Sequence, residues 1–152
     1  MNPSKPHRTL SGGCQCGAVR YEVQGKPHEI YVCHCRECRK QSSSAFGVSV
    51  MVRSADVRLL QGTLTRWSRV TDSGRTLACF FCGDCGTRVW HGDKDQADEI
   101  SIKGGSFDEP VDLSSAVHIW TSRKLPGVVI PEGARTFTAE PDQRMAPDER
   151  IV

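Results

Sequence analysis

The segment CGDCG at residues 82–86 holds two cysteines at C-x-x-C spacing and follows them at once with a glycine. A second short pair lies far upstream, in CQCG at residues 14–17. Two short pairs with a long stretch of chain between them are typical of one tetrahedral zinc site. Gly17 and Gly86 suit the tight turns of such a site, because glycine adopts a positive φ at little cost. The sequence therefore predicts a closed, structural zinc site. Its four ligands would be Cys14, Cys16, Cys82 and Cys85.

The segment CHCREC at residues 33–38 carries three more cysteines. Three thiolates leave one position of a tetrahedral zinc open to water or substrate, which is the arrangement of catalytic rather than structural sites. The sequence therefore predicts a second, catalytic zinc, held less firmly and open to partial occupancy. The ligands of this predicted open site are Cys33, Cys35 and Cys38.

Three alternatives to this ligand count stay open. Cys79 could join the second group and make two closed sites, although its apolar neighbours favour a buried strand residue. His34 could be a fourth ligand, but ligation by three consecutive residues would strain the backbone. Disulfides could use the same thiols, although C-x-C pairs are awkward to bridge and no secretory signal is visible.

Composition excludes several functional classes. The chain has 152 residues, 38% of them hydrophobic, and a formal net charge of +2. This length predicts one domain over residues 1–152. No run of one charge favours nucleic-acid binding, and no apolar window approaches the roughly 18 residues of a membrane span. We expect a cytoplasmic protein, where clustered cysteines bind metal more often than they form disulfides. The sequence leaves the oligomeric state open.

Short strand patterns separated by turn residues fill most of the chain. They cover residues 18–23, 29–32, 45–52, 57–60, 64–70, 76–81, 87–90, 99–103 and 117–121. Strands of this length and spacing predict an all-β fold with mostly antiparallel strands. The residues 61–62 and 71–74 have the composition of hairpin turns.

Helix signals are weak in this sequence. The best candidate runs from Arg36 to Ser42, starting inside the second cysteine group, so we expect one or two short helices. The stretch 140–152 is polar and contains two prolines. We expect this tail to pack poorly, at least at its end.

Five segments together resemble the glutathione-dependent formaldehyde-activating enzyme family, and the similarity covers roughly residues 8–138. They are GGCQCGAVRY at 12–21, CHCRECRKQ at 33–41, FCGDCGT at 81–87, GGSFD at 104–108 and HIWTSRKLP at 118–126. The resemblance implies a zinc-stabilised β-tent fold with the structural and catalytic zinc sites assigned above. It also implies the activity of an S-(hydroxymethyl)glutathione synthase, a carbon–sulfur lyase that acts on glutathione and formaldehyde. Gly127 departs from the family pattern, which often has an aromatic residue after Lys-Leu-Pro.

The chemistry of the open site agrees with this expectation. A zinc position with one free coordination site can assist the addition of a thiol to an aldehyde. Arg36, Arg39 and Lys40 could attract an anionic thiol such as glutathione, or could form a solvated helix face. The alternative function is a non-catalytic, zinc-stabilised binding or chaperone-like module.

Overall fold

The computed structural model describes residues 8–141, and this part of the chain is built mainly from β-strands. The strands are β1 (Leu10–Gly13), β2 (Arg20–Val23), β3 (Glu29–Cys33), β4 (Gly47–Arg53), β5 (Val57–Gln61), β6 (Leu64–Val70), β7 (Thr76–Cys82), β8 (Arg88–His91), β9 (Glu99–Lys103) and β10 (Val117–Ile119). Helix α1 spans Arg36–Ser42, and 3-10 turns lie at Ser54–Asp56, Gly104–Ser106 and Thr121–Arg123. The predicted all-β class with mostly antiparallel strands is confirmed. Predicted strand ends differ from the observed ones by a residue or two.

The chain divides into two compact units, each made of two separate segments. The first unit contains Val50–Val111 and the described residues before Glu29, and the second contains Glu29–Ser49 and the described residues from Asp112 onward. The four-cysteine group therefore lies within the first unit and the three-cysteine group within the second.

The first unit contains a three-stranded antiparallel sheet with the order β1-β2-β5. Strand β2 alternates as the sequence predicts, with Tyr21 and Val23 fully buried. Strand β1 was not predicted, because its sequence LSGG has little strand propensity. It pairs with β2 because glycine allows close approach: a Cβ on Gly12 would lie 2.4 Å from the hydroxyl of Tyr21.

The same unit contains the antiparallel run β6-β7-β8-β9. A hairpin joins β6 to β7, as predicted, and Gly74 completes its turn with φ +82°. The aromatic core of this unit centres on Tyr21, whose ring meets Trp90 edge-on at 6.1 Å and Phe107 at 5.8 Å. This run carries Cys82 to the end of β7.

The predicted hairpin at Gln61-Gly62 is wrong. Strand β5 pairs with β2, whereas β6 pairs with β7, so the chain leaves one sheet for another at this turn. The physical reason is a close backbone approach at Gly62, where a Cβ would lie 2.3 Å from the carbonyl oxygen of Ala18. The turn is therefore shaped by the segment it crosses and not by pairing between the strands it joins.

The second unit is built around a parallel pair, β3 and β10, with Tyr31 opposite Val117 and Cys33 opposite Ile119. Buried Cys33, Val117 and Ile119 form its core, and Tyr31 and Phe137 are among the partly buried residues that pack against them. Strand β10 ends earlier than predicted because the next residue, Trp120, has a positive φ of 54°. The pair places Cys33 at the end of a strand beside a buried apolar wall.

Helix α1 has the predicted bounds and starts directly after β3. Its N-cap is Cys35, in an extended conformation, and its C-cap is Ser43 in the left-handed region. The helix contains Cys38, so the second cysteine group spans a strand end, a cap and a first helical turn. The local structure brings its three thiols together without any long-range pairing.

The tail predicted to pack poorly covers residues 140–152, and residues 142–152 lie outside the described part of the chain. Glu140 itself accepts a hydrogen bond from the indole N–H of Trp120 at 2.8 Å. Within residues 8–141, no helix has the length and apolar character needed to span a bilayer.

Candidate metal centres

The four predicted structural ligands meet in space. The Sγ atoms of Cys14, Cys16, Cys82 and Cys85 all lie within 4.8 Å of one another. Cys14 and Cys16 stand in the turn between β1 and β2, while Cys82 ends β7 and Cys85 lies in the turn that follows. The group thus joins two turns that are distant in sequence, as the paired spacing predicts.

Backbone N–H groups hold these two turns in shape. The N–H of Val19 donates to Sγ of Cys14 at 3.2 Å, and the N–H of Gly86 donates to the carbonyl of Cys82 at 2.8 Å. Gly17 and Gly86 have φ of +82° and +79°, so the positive φ predicted for both glycines is confirmed. N–H donors directed at sulfur stabilise thiolate charge, which a cluster of thiolates needs.

Thr87 adds a contact that sequence reasoning missed. Its hydroxyl lies 3.3 Å from Sγ of Cys85 and also accepts the backbone N–H of Gln15 at 3.1 Å. This hydroxyl and nearby backbone N–H groups lower the pKa of Cys85 to about 5. Its place directly after Gly86 was the available signal, since a hydroxyl beside a cysteine turn can serve as a donor to sulfur.

The three predicted catalytic ligands also meet. The Sγ atoms of Cys33, Cys35 and Cys38 lie within 4.8 Å of one another. Cys33 is buried at the end of β3, and the Sγ of Cys35 accepts the backbone N–H of Cys38 at 3.3 Å as the cap of α1. No fourth histidine, cysteine or carboxylate joins this group among residues 8–141.

The thiols of this group control one another's ionisation. Hydrogen bonds from Cys33 and Cys38 lower the pKa of Cys35 to about 2, while the same contacts and burial raise the pKa of Cys33. Within this group, ionisation of Cys35 is therefore favoured over ionisation of Cys33. A soft divalent ion compensates the charge of several clustered thiolates, and a set of sulfur donors fits zinc.

His34 is turned away from the ligand role. It is completely buried, and its Nε2 lies 3.0 Å from Nδ1 of His118, with the two rings stacked at 5.3 Å. Its backbone N–H donates to the carbonyl of Ile119 at 3.0 Å. Burial, with the nearby charges of His118 and Lys124, lowers the pKa of His34. His34 therefore connects the loop between Cys33 and Cys35 to β10, through its side chain to His118 and through its backbone N–H to Ile119.

An aromatic wall borders the three-cysteine group. Tyr31, Trp120 and Phe137 pack on the same core cluster as Cys33, and Cys35 and Cys38 are packed against it too. The left-handed backbone at Trp120 is uncommon for a bulky residue, and such conformations concentrate at functional sites. The positive φ of Trp120 has no signal in the sequence.

Cys79 belongs to neither sulfur group within the described residues. It is fully buried in β7, opposite Trp67 on one side and His91 on the other. The predicted burial of Cys79 in a strand is confirmed. His91, also buried, hydrogen-bonds with Arg88 at 3.0 Å, and burial lowers its pKa to about 2, so it is a neutral strand residue.

Together these observations define a mostly antiparallel β protein with two sulfur clusters, each able to hold a metal ion. A sequence model described as the glutathione-dependent formaldehyde-activating enzyme matches residues 9–123. Because this match covers more than half of the chain, the protein belongs to the glutathione-dependent formaldehyde-activating enzyme family.

Two known proteins are similar to this chain. A Halomonas elongata protein, provisionally named a glutathione-dependent formaldehyde-activating enzyme, is 25% identical over 147 residues, which cover 90% of this chain and 92% of that protein. A crystal structure of a Rhodobacter sphaeroides protein superposes with a TM-score of 0.54 at 24% identity, covering 71% of this chain and 98% of the other. At that identity the structural likeness supports the fold alone.

Proposed function

We propose that this protein is a zinc-dependent enzyme that makes or breaks the carbon–sulfur bond of a thiol–aldehyde adduct, as in S-(hydroxymethyl)glutathione. The observation that carries the proposal is the three-thiol group at the start of α1, which supplies three of the four ligands of a tetrahedral metal. Family membership supports glutathione and formaldehyde as the reactants.

Each sulfur group would have its own zinc. Cys14, Cys16, Cys82 and Cys85 would hold a structural ion, and Cys33, Cys35 and Cys38 a catalytic one. A zinc with a position left for substrate supplies Lewis-acid stabilisation of a thiolate or of a carbonyl oxygen. Free thiols in both groups require a reducing compartment, so a cytoplasmic location belongs to the same proposal.

The proposed reaction balances without any further reactant. The sulfur of the thiol forms a bond to the aldehyde carbon, the carbonyl π bond breaks, and the thiol proton ends on the new hydroxyl oxygen. The reverse reaction releases thiol and aldehyde. The aromatic wall of Tyr31, Trp120 and Phe137 lowers the local dielectric beside the thiols, which strengthens electrostatic interactions at the reacting atoms.

Exchange NMR tests the proposal. Glutathione and ¹³C-formaldehyde reach equilibrium with their adduct unaided, so the measured quantity is the increase in the exchange rate on adding the zinc-loaded protein. We expect acceleration by the wild type, loss of it in Cys38→Ser, and full retention in Cys79→Ala, which changes a thiol outside both groups.

Acceleration in Cys38→Ser equal to the wild type would contradict a role for the three-cysteine group. A wild-type protein with two zinc ions and no acceleration with any thiol–aldehyde pair would instead favour the non-catalytic binding module.

A further inference from the structure

A basic cavity of about 380 Å³ opens beside helix α1. Its lining is formed entirely by this helix and the turn that ends it, namely Arg36, Arg39, Lys40, Ser43 and Ser44. The first, fourth and fifth residues of α1 share one flank of the helix, which explains why three cations face the same space. None of the described acidic residues lines the cavity.

The three cations lack a carboxylate partner in the part of the chain that the structure describes. No carboxylate within residues 8–141 forms an ion pair with Arg36, Arg39 or Lys40. In addition, Nε of Arg39 is buried and lacks a hydrogen-bond partner within the described residues. A buried donor without a partner is costly, and a cationic one more so. Because no described carboxylate pairs with these side chains, their three positive charges are available to an anionic acceptor in the cavity.

The turn at the end of α1 gives the cavity a fixed wall. The N–H of Ser43 donates to the carbonyl of Lys40 at 3.2 Å, and that of Ser44 donates to the carbonyl of Arg39 at 3.2 Å. These bonds hold Ser43 in its left-handed conformation, with φ 50°. Both serines are exposed at the cavity, where their hydroxyls can donate to oxygen anions.

The helix also sets the distance from this cavity to the thiols. Cys35 caps its first turn and Ser43 its last, so a rise of 1.5 Å per residue places them roughly 12 Å apart along the axis. An extended chain of three residues spans roughly 10 Å. Arg39 is closer, because its N–H donates to the carbonyl of Cys35 at 3.0 Å and four residues of helix rise only roughly 6 Å. A peptide-sized thiol with its sulfur near Cys35 can therefore place a carboxylate at Arg36 and Arg39.

We propose that the cavity of Arg36, Arg39 and Lys40 is the subsite that binds the carboxylates of a small thiol substrate. Guanidinium groups match carboxylates with paired N–H donors, and the flanking serines complete the set of donors. The subsite would select thiols that carry carboxylates over neutral thiols of equal reactivity. The proposal rests on the proposed function for the role of the sulfur, but carboxylate binding can be measured without any reaction.

S-methylglutathione is the suitable probe, because it keeps both carboxylates and has no thiol to react or to bind metal. We would titrate it into the zinc-loaded, ¹⁵N-labelled full chain and follow amide shifts. We expect shifts at Ser43 and Ser44 and affinity that weakens as NaCl increases. Arg39→Gln should weaken binding about tenfold, and Arg36→Gln or Lys40→Gln about threefold each.

The matched control is Arg75→Gln, which removes one positive charge from an exposed turn of the other unit. It should bind the probe with wild-type affinity. Equal affinity in Arg39→Gln and wild type would overturn the proposal, as would no binding of S-methylglutathione at millimolar concentration. Inorganic phosphate that displaces the probe at equal or lower concentration would also overturn it, since the cavity would then be a phosphate site.

Turnover assays separate this inference from the proposed function. If the protein binds S-methylglutathione through the three cations but catalyses no exchange, the proposed subsite is supported and the proposed function is contradicted. If the protein accelerates exchange equally for glutathione and for neutral 2-mercaptoethanol, the proposed function is supported and the proposed subsite is contradicted. If both hold, Arg39→Gln should raise KM for glutathione more than it lowers kcat.

Discussion

The four-cysteine group and the three-cysteine group differ in how far apart their cysteines lie along the sequence. The first joins two distant turns, in which Cys16 and Cys82 are 66 residues apart in sequence and their Sγ atoms lie 3.8 Å apart. The second uses six consecutive residues, 33–38. By chain entropy, closing the longer loop is worth about 4 kcal/mol and closing the shorter about 2 kcal/mol. A metal at the first group therefore acts mainly on the fold. A metal at the second group is held by local structure, contributes less to the fold and can take part in catalysis.

The largest effect should come from breaking the four-cysteine group. Cys82→Ser removes a buried cysteine that we propose as a zinc ligand, and a structural zinc site contributes on the order of 10 kcal/mol to folding. We expect little folded protein, or a strongly lowered Tm by circular dichroism. Cys38→Ser in the second group is the matched control and should stay folded with one zinc fewer. A Cys82→Ser protein that melts with the wild type would remove the structural role.

A chelator should remove zinc from the two groups at different times. The three-cysteine group offers one protein ligand fewer, so it should lose zinc to EDTA first, with the β-sheet spectrum largely retained. Zinc release measured by a chromogenic chelator, together with circular dichroism on the same sample, checks this order. Simultaneous loss of both ions with unfolding in one step would show that the groups are not divided into structural and catalytic sites.

Local features of both groups could be predicted from the sequence. Ligand spacing, the glycines after each pair and the short helix at Arg36–Ser42 all depend on neighbouring residues, and the structure agrees with them. Strand existence was predictable for the same reason, since alternation in segments such as Arg20–Val23 is a local pattern. That residues 1–152 form one domain stays a prediction.

Pairings between distant segments could not be predicted. Nothing in the residues of β5 indicates that it pairs with β2 instead of β6, and nothing in β3 indicates a parallel partner in β10. Strand β1 forms because Gly12 lets Tyr21 approach, a contact between different strands. The partners of His34 and the backbone of Trp120 follow from the β3–β10 pair, so they were beyond sequence reasoning too.

A moderate effect should come from the histidine pair beside the three-cysteine group. His118→Leu leaves Nε2 of His34 buried without its partner, which costs about 1–3 kcal/mol. We expect a lower urea midpoint and weaker zinc binding at the three-cysteine group only. His28→Ala, which removes an exposed histidine of the first unit, should change stability by less than about 0.5 kcal/mol. Unchanged midpoint and zinc affinity in His118→Leu would show that the pair does not support the loop.

The smallest effect should come from the eighth cysteine, which tests whether the difference in ligand number is real. Cys79 is fully buried in β7, and the only hydrogen bond of its thiol within the described residues is a weak one at 3.9 Å to the carbonyl of Leu77. Cys79→Ala and Cys79→Val should each keep two zinc ions by metal analysis and cost at most about 1–2 kcal/mol, because only core packing changes. If Cys79→Ala instead lost one equivalent of zinc, the second group would have a fourth thiolate ligand. The contrast between a closed and an open site would then disappear, and the binding module would become the better explanation of the fold.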